Sequence, residues 1–110
     1  MPNAKLYIDD RALARIAEGI EPALGDLRQA LCQVFSVTEP ACHLVIIPVK
    51  ALAGQTPVNV ELTILHKADR TREAVEAACL RLQALVERLF GLRAAIRCTM
   101  MQPENYVVMK

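Results

Sequence analysis

The sequence contains no tryptophan and only two tyrosines and two phenylalanines among its 110 residues. Its core must therefore be aliphatic, and it offers few rings on which nucleic-acid bases can stack. Neither sign of charge is in excess: 13 lysines and arginines stand against 12 acidic residues, a net charge of +1, with the two signs interspersed. Nucleic-acid binding calls for a basic face, so no nucleic-acid partner is expected. No apolar run approaches the roughly 18 residues of a membrane span, and no membrane partner is expected. The first ten residues hold a lysine and two aspartates, unlike a signal peptide. Cys32, Cys42, Cys79 and Cys98 form no CxxC pair and no repeated metal spacing. Cys42 and His43 are adjacent, a spacing unsuited to joint chelation. The cysteines read as small buried hydrophobes of a reducing cytoplasm, and neither a metal nor a cofactor is expected.

What is abundant is patterned apolar residue, 54% of the chain. It suffices for one domain over 1–110 that buries about two-thirds of its unfolded surface. Leu6 and Ile8 alternate with Lys5 and Tyr7 as a first strand, and Asp9 or Asp10 can cap the helix that follows. Leu13, Ile16, Ala17, Ile20, Leu24, Leu27, Leu31, Val34 and Phe35 then step by three or four along a single helical face. Pro22 falls opposite that face without breaking its phase, which predicts one long kinked helix of about 25 residues. CHLVIIPV (42–49) is apolar on both faces, as in a strand covered on both sides. Residues 50–57 read as a loop, and 58–64 alternate as a third strand. ADRTRE (68–73) supplies helix-start chemistry. Val75, Ala78, Cys79, Leu82, Leu85, Val86, Leu89 and Phe90 form a second stripe, stopped at Gly91. AAIRCTMM (94–101) reads as a fourth strand and YVVM (106–109) as a short terminal one.

This order is β-α-β twice. A shift of 55 residues carries Leu27 onto Leu82, Leu31 onto Val86, Val34 onto Leu89 and Phe35 onto Phe90. Hydrophobic phase held over such a length predicts an internal duplication, with pseudo-repeats of about 1–55 and 56–110. The same shift places Pro2 on Pro57, which also precedes a strand. Strand parity does not follow: Ala4, Leu6 and Ile8 fall out of phase with Val58, Val60 and Leu62. A bulge, or a sheet apolar on both faces, is the expected cause.

An N-terminal Met-Pro, GQ (54–55), VELTI (60–64) leading through Arg70 to TREAVEAA, and a closing ENYVVMK (104–110) cover most of the chain. In that order they resemble the tautomerase superfamily, and within it the 5-carboxymethyl-2-hydroxymuconate isomerase family, with macrophage migration inhibitory factor more distant. The resemblance implies an α+β fold of two β-α-β repeats, a four-stranded mixed sheet with two helices on one face. It also implies a homotrimer whose sheets pack around a central barrel, with active sites near subunit boundaries. There an amino-terminal proline moves a proton between carbons of a small unsaturated 2-oxo or 2-hydroxy acid, a keto/enol acid of aromatic-compound catabolism.

The residues make chemical sense of that role. Proline cannot donate a ladder hydrogen bond, so Pro2 serves equally as a plain strand start. Methionine is usually trimmed before a small second residue, however, and Pro2 would then become a secondary amine on a rigid ring. A free α-amine titrates at about 7.7–8.0, and burial or nearby cations lower that, which suits a general base at neutral pH. With Met1 retained, Pro2 is an amide without a basic lone pair. The dienolate formed on proton removal needs a cation or donor beside it. The resemblance puts Arg70 in place to grip a substrate carboxylate, with Arg72 its competitor in register. Lys50 is a second candidate. Where the family bears an arginine near the start of strand two, this chain has Cys42, His43 and Leu44, leaving His43 as the substitute donor. Each has a plain reading as well: a helix-start charge, a solvated loop lysine, a strand-end histidine.

Lys5 and Glu61 face away from the helices, where a trimer brings neighbouring sheets together, and YVVM can add a strand to a neighbour's edge. Two alternatives compete with the enzyme. One is a catalytically silent protein of the same fold. The other is a ferredoxin-like small-molecule-binding oligomer with an antiparallel sheet, for which the first helical stripe is long.

Overall fold

In the computed structural model, which describes residues 2–110, apolar alternation sets the two central strands. Ala4, Leu6 and Ile8 lie on β1 (Asn3–Asp9), and Val58, Val60, Leu62 and Ile64 lie on β3 (Val58–Leu65). The strands pair antiparallel with Leu6 opposite Val60, so all seven side chains share one buried face. β2 (His43–Val49) runs parallel to β1, and β4 (Ala94–Met101) runs parallel to β3, giving the order β2-β1-β3-β4. Pro48 is tolerated because β2 is an edge strand with one free side. Two parallel pairs joined antiparallel at the centre make a mixed sheet, which excludes the antiparallel ferredoxin-like arrangement.

Three helices follow: α1 (Asp10–Ile16), α2 (Ile20–Phe35) and α3 (Arg72–Phe90). The Asp9 carboxylate caps α1 by accepting from the Arg11 amide at 3.2 Å. The Arg11 guanidinium beside it holds the Asp9 carboxyl below the usual carboxylate range. Thr71 Oγ1 caps α3 by accepting from the Ala74 amide at 3.1 Å. Ala23, Leu27, Leu31 and Phe35 of α2 are buried, and each is followed 55 residues later by a buried residue of α3: Ala78, Leu82, Val86 and Phe90. They pack with the apolar side of β1 and β3 into one core.

Three expectations need correction. The single helix over 13–35 is broken by a 3-10 turn at Ala17–Gly19. In a continuous helix the Pro22 ring would strike the Glu18 carbonyl; starting α2 afresh puts Pro22 in a first turn, where no amide bond is lost. The strand parity mismatch involves no bulge, since β1 and β3 pair without interruption. It arises in the connections: β1 runs straight into α1, whereas residues 66–71 separate β3 from α3. Finally, 106–109 form no strand. A 3-10 turn at Pro103–Asn105 precedes Tyr106, whose backbone is extended but joins no ladder among the described residues.

Both long helices end on a left-handed residue, Ser36 (φ 55°) after α2 and Gly91 (φ 64°) after α3. Serine carries a Cβ that glycine lacks, and this conformation penalises it. Ser36→Gly should therefore raise unfolding stability by about 0.5 kcal/mol, and Gly91→Ala should lower it by about 1 kcal/mol, as read by denaturant midpoints.

The sheet face away from the core is mixed in character. Val45, Lys5, Glu61 and Arg97 form one cross-strand row, and Ile47, Tyr7, Asn59 and Ala95 the next. Arg97 donates to Asn59 Oδ1. No helix among the described residues is long and apolar enough to cross a membrane.

Candidate active site

The parallel pairing of β1 and β2 brings their first residues together. Asn3 lies opposite His43, and the His43 amide donates to the Pro2 carbonyl at 3.0 Å. The Pro2 ring is fully buried at this end of the sheet. Beside it opens a cavity of about 440 Å³ whose walls include Pro2, Cys42, His43, Tyr106, Val108 and Lys110. Alternate residues of the extended tail thus reach the cavity, while Val107 and Met109 point outward, 82% and 88% exposed. His43 Nδ1 lies 3.2 Å from Asn3 Oδ1. An amide oxygen can only accept, so Nδ1 carries the proton and Nε2 is left for other partners.

Of the residues the sequence points to, the structure brings together Pro2 and His43. Lys50 lies at the far end of β2, where its ammonium meets Asp10 Oδ2 at 3.2 Å. Arg70 is at the Pro2 end but turned inward, 6% exposed. Its guanidinium donates to the Leu65 carbonyl at 2.7 Å and the Phe35 carbonyl at 3.3 Å, and lies 5.4 Å from the centre of the Phe35 ring. It ties the end of β3 to the end of α2. Arg72 is on the surface, bonded to Glu76 at 2.9 Å. Met1 lies outside the described residues, and with it the question of an amine or amide at Pro2.

Asn3, Tyr106 and Lys110 escaped the sequence reading as site residues. The tail's alternation is visible in the sequence, where it signals a strand rather than a cavity wall. A larger cavity of about 540 Å³ lies between α3 and β4, beside Cys79, Cys98, Leu80 and Met100. It offers no amine, and its one guanidinium is that of Arg72.

Burial, and then contact with Cys32, push the Cys42 thiol up to about 12; burial beside Cys79 does the same for Cys98. Unfolded thiols release their protons near the ordinary 9.0, whereas these hold theirs. Their contribution to stability is complete below that value and is lost as pH rises toward 12. Denaturant midpoints should fall across that range, and fall less steeply in Cys98→Ala.

No family model and no curated protein matches this sequence. Solved structures do match its fold. The protein Pt0534, inactivated by 2-oxo-3-pentynoate, superposes with a TM-score of 0.73 at 14% identity, over 96% of this chain and 90% of that one. Macrophage migration inhibitory factor of Toxoplasma gondii gives 0.69 at 13%, over 96% and 95%. A fused 4-OT asymmetric trimer gives 0.66 at 12%, over 96% and 91%. The chain shares the tautomerase-like fold of these proteins. Likeness at such identities concerns architecture; the position of Pro2 beside the cavity is a feature of this chain's own geometry.

Proposed function

We propose that this protein is a cofactor-independent tautomerase or isomerase, of the 5-carboxymethyl-2-hydroxymuconate isomerase kind, acting on a small unsaturated 2-oxo or 2-hydroxy acid. The observation that carries the reading is Pro2 in the wall of a cavity shared with His43, Tyr106 and Lys110. Once Met1 is removed, the neutral ring nitrogen takes a proton from the carbon between the carbonyl and the double bond. The electron pair spreads into a dienolate, and the same nitrogen returns the proton two carbons away. Lys110 and His43 hold the substrate carboxylate, and the Tyr106 hydroxyl faces the developing oxygen charge. Pt0534 responds to an acetylenic 2-oxo acid, which accords with this substrate class.

The working form in this reading is a homotrimer in the cytoplasm. The helix-free sheet face sets Val45 and Ile47 beside the charged row of Lys5, Glu61 and Arg97, a surface better suited to neighbouring sheets than to water. Lys50 serves a substrate carboxylate only where an adjoining subunit brings it to the cavity. Intact mass of the purified protein, with turnover of phenylenolpyruvate and 2-hydroxymuconate, tests the proposal. Loss of one methionine and measurable turnover are expected. A retained Met1 in material from the native host, or no turnover of any unsaturated oxo acid, would overturn it. A silent protein of the same fold is the second reading, favoured by Arg70 spending its guanidinium on carbonyls.

A further inference from the structure

We propose that Cys32 and Cys42 form a dithiol–disulfide switch, with Cys42 standing in the wall of the Pro2 cavity and Cys32 behind it on α2. Their sulfur atoms are 3.4 Å apart and a disulfide needs about 2.05 Å, so they must approach by about 1.4 Å. The chain between them can supply that movement. Cys32 is in the last turn of α2, Cys42 lies just before β2, and they are joined by left-handed Ser36, irregular chain and the 3-10 turn Glu39–Ala41. The other thiol pair differs. Cys79 and Cys98 also touch, but they sit inside α3 and β4, where helix and ladder bonds resist displacement.

An oxidant can reach Cys42, which lines both the Pro2 cavity and an adjoining one of about 450 Å³ shared with Arg28. Burial disfavours the Cys42 thiolate and the Arg28 guanidinium only partly offsets it, but that charge suits the carboxylates of a peptide disulfide. Such a low-molecular-weight disulfide, glutathione disulfide for example, is the co-reactant. The Cys42 thiolate attacks one of its sulfurs, breaking that S–S bond and expelling one thiolate. Cys32, giving up its proton, then attacks the Cys42 sulfur of the mixed disulfide and expels the second. Two protein thiols are oxidised to one disulfide, the reagent is reduced to two thiols, and the two protons pass to the leaving thiolates. Burial keeps the Cys42 thiol protonated at neutral pH, so exchange is slow and answers to sustained oxidation.

Closing the bond draws Cys42 toward α2 and shifts the adjoining His43, whose ring is held by Asn3. Control of turnover by this movement rests on the Pro2 reading; the pair itself does not. The full chain equilibrated in glutathione redox buffer at mildly alkaline pH, then acid-quenched and alkylated, provides the test. Non-reducing peptide mapping should find a species about 2 Da lighter with Cys32 bonded to Cys42. Dithiothreitol should reverse it, and Cys32→Ser should abolish it while Cys79 and Cys98 stay alkylatable. Proton NMR should show the His43 ring resonances moving on oxidation and those of His66 staying in place. Thiols that remain alkylatable at every redox ratio, a bond formed elsewhere, or a bond that leaves His43 unmoved would each sink the proposal. The wild-type map needs no variant, and Cys42→Ala stands in where Cys32→Ser misfolds. Neither readout uses turnover, so a protein inactive in both redox states counts against the Pro2 reading alone.

Discussion

Replacing Pro2 by alanine should lower kcat/KM for an enol or β,γ-unsaturated oxo acid by about a hundredfold in protein that remains folded. After Met1 removal, alanine still presents an amine, so the variant keeps a base of similar basicity and loses the ring that aims it. A form with Met1 retained has an amide there and no base at all. Its deficit should approach the upper end, about ten thousandfold, of what a positioned general base contributes. Wild-type activity should rise with pH as the amine loses its proton, because only the neutral nitrogen can accept one. A free α-amine titrates at about 7.7–8.0, and burial of the Pro2 ring disfavours the ammonium form, so the midpoint should lie below that range. Steady-state assays of the three forms across pH decide the matter. Equal rates for wild type and Pro2→Ala would show that the ring is not needed to aim the base, and equal rates for all three forms would remove the amino-terminal nitrogen from the mechanism.

Local periodicity made most of the architecture readable. Leu6 and Ile8, or Val60 and Leu62, signal a half-buried strand from their own spacing, and Leu27, Leu31 and Phe35 signal a helix in the same way. Gly91 advertised its left-handed stop; Ser36, which ends α2 in the same conformation, carried no such mark. The break at Ala17–Gly19 was hidden because the apolar stripe keeps its phase across it. Only the clash between the Pro22 ring and the carbonyl four residues back tells against a continuous helix. The tail misled for a related reason: Tyr106, Val108 and Lys110 alternate like a strand, and alternation cannot say whether the covered side meets a ladder or a cavity. Least legible were contacts between distant residues. His43 meets Asn3 across 40 positions, and Cys32 meets Cys42 only because α2 ends where β2 begins. Charge in a helix-start loop looks solvated on paper, and nothing in ADRTRE announces that Arg70 turns inward while Arg72 stays out.

That inward turn gives Arg70 the largest expected effect on stability. Its fork satisfies two carbonyls, at Leu65 and Phe35, and no carboxylate is paired with it among the described residues. The Phe35 carbonyl belongs to the last turn of α2, where the helix dipole favours a cation. Truncation to alanine strands both carbonyls, empties the space against the Phe35 ring and frees β3 from α2. A hydrogen bond to a charged donor contributes about 1.5–3 kcal/mol, and two sharing one side chain do not add fully. Arg70→Ala should therefore cost about 3 kcal/mol by chemical denaturation at fixed protein concentration. Arg70→Lys separates a strut from a substrate anchor. Lysine keeps the charge but, as a point donor, cannot span two carbonyls. A strut predicts that most of the stability loss persists while KM of the folded fraction stays at the wild-type value. An anchor predicts the reverse, stability retained and KM raised about tenfold or more by loss of the bidentate grip on a carboxylate. The buried geometry favours the strut, which leaves the carboxylate to Lys110 and His43, and a raised KM in a fully stable Arg70→Lys protein would return it to the arginine.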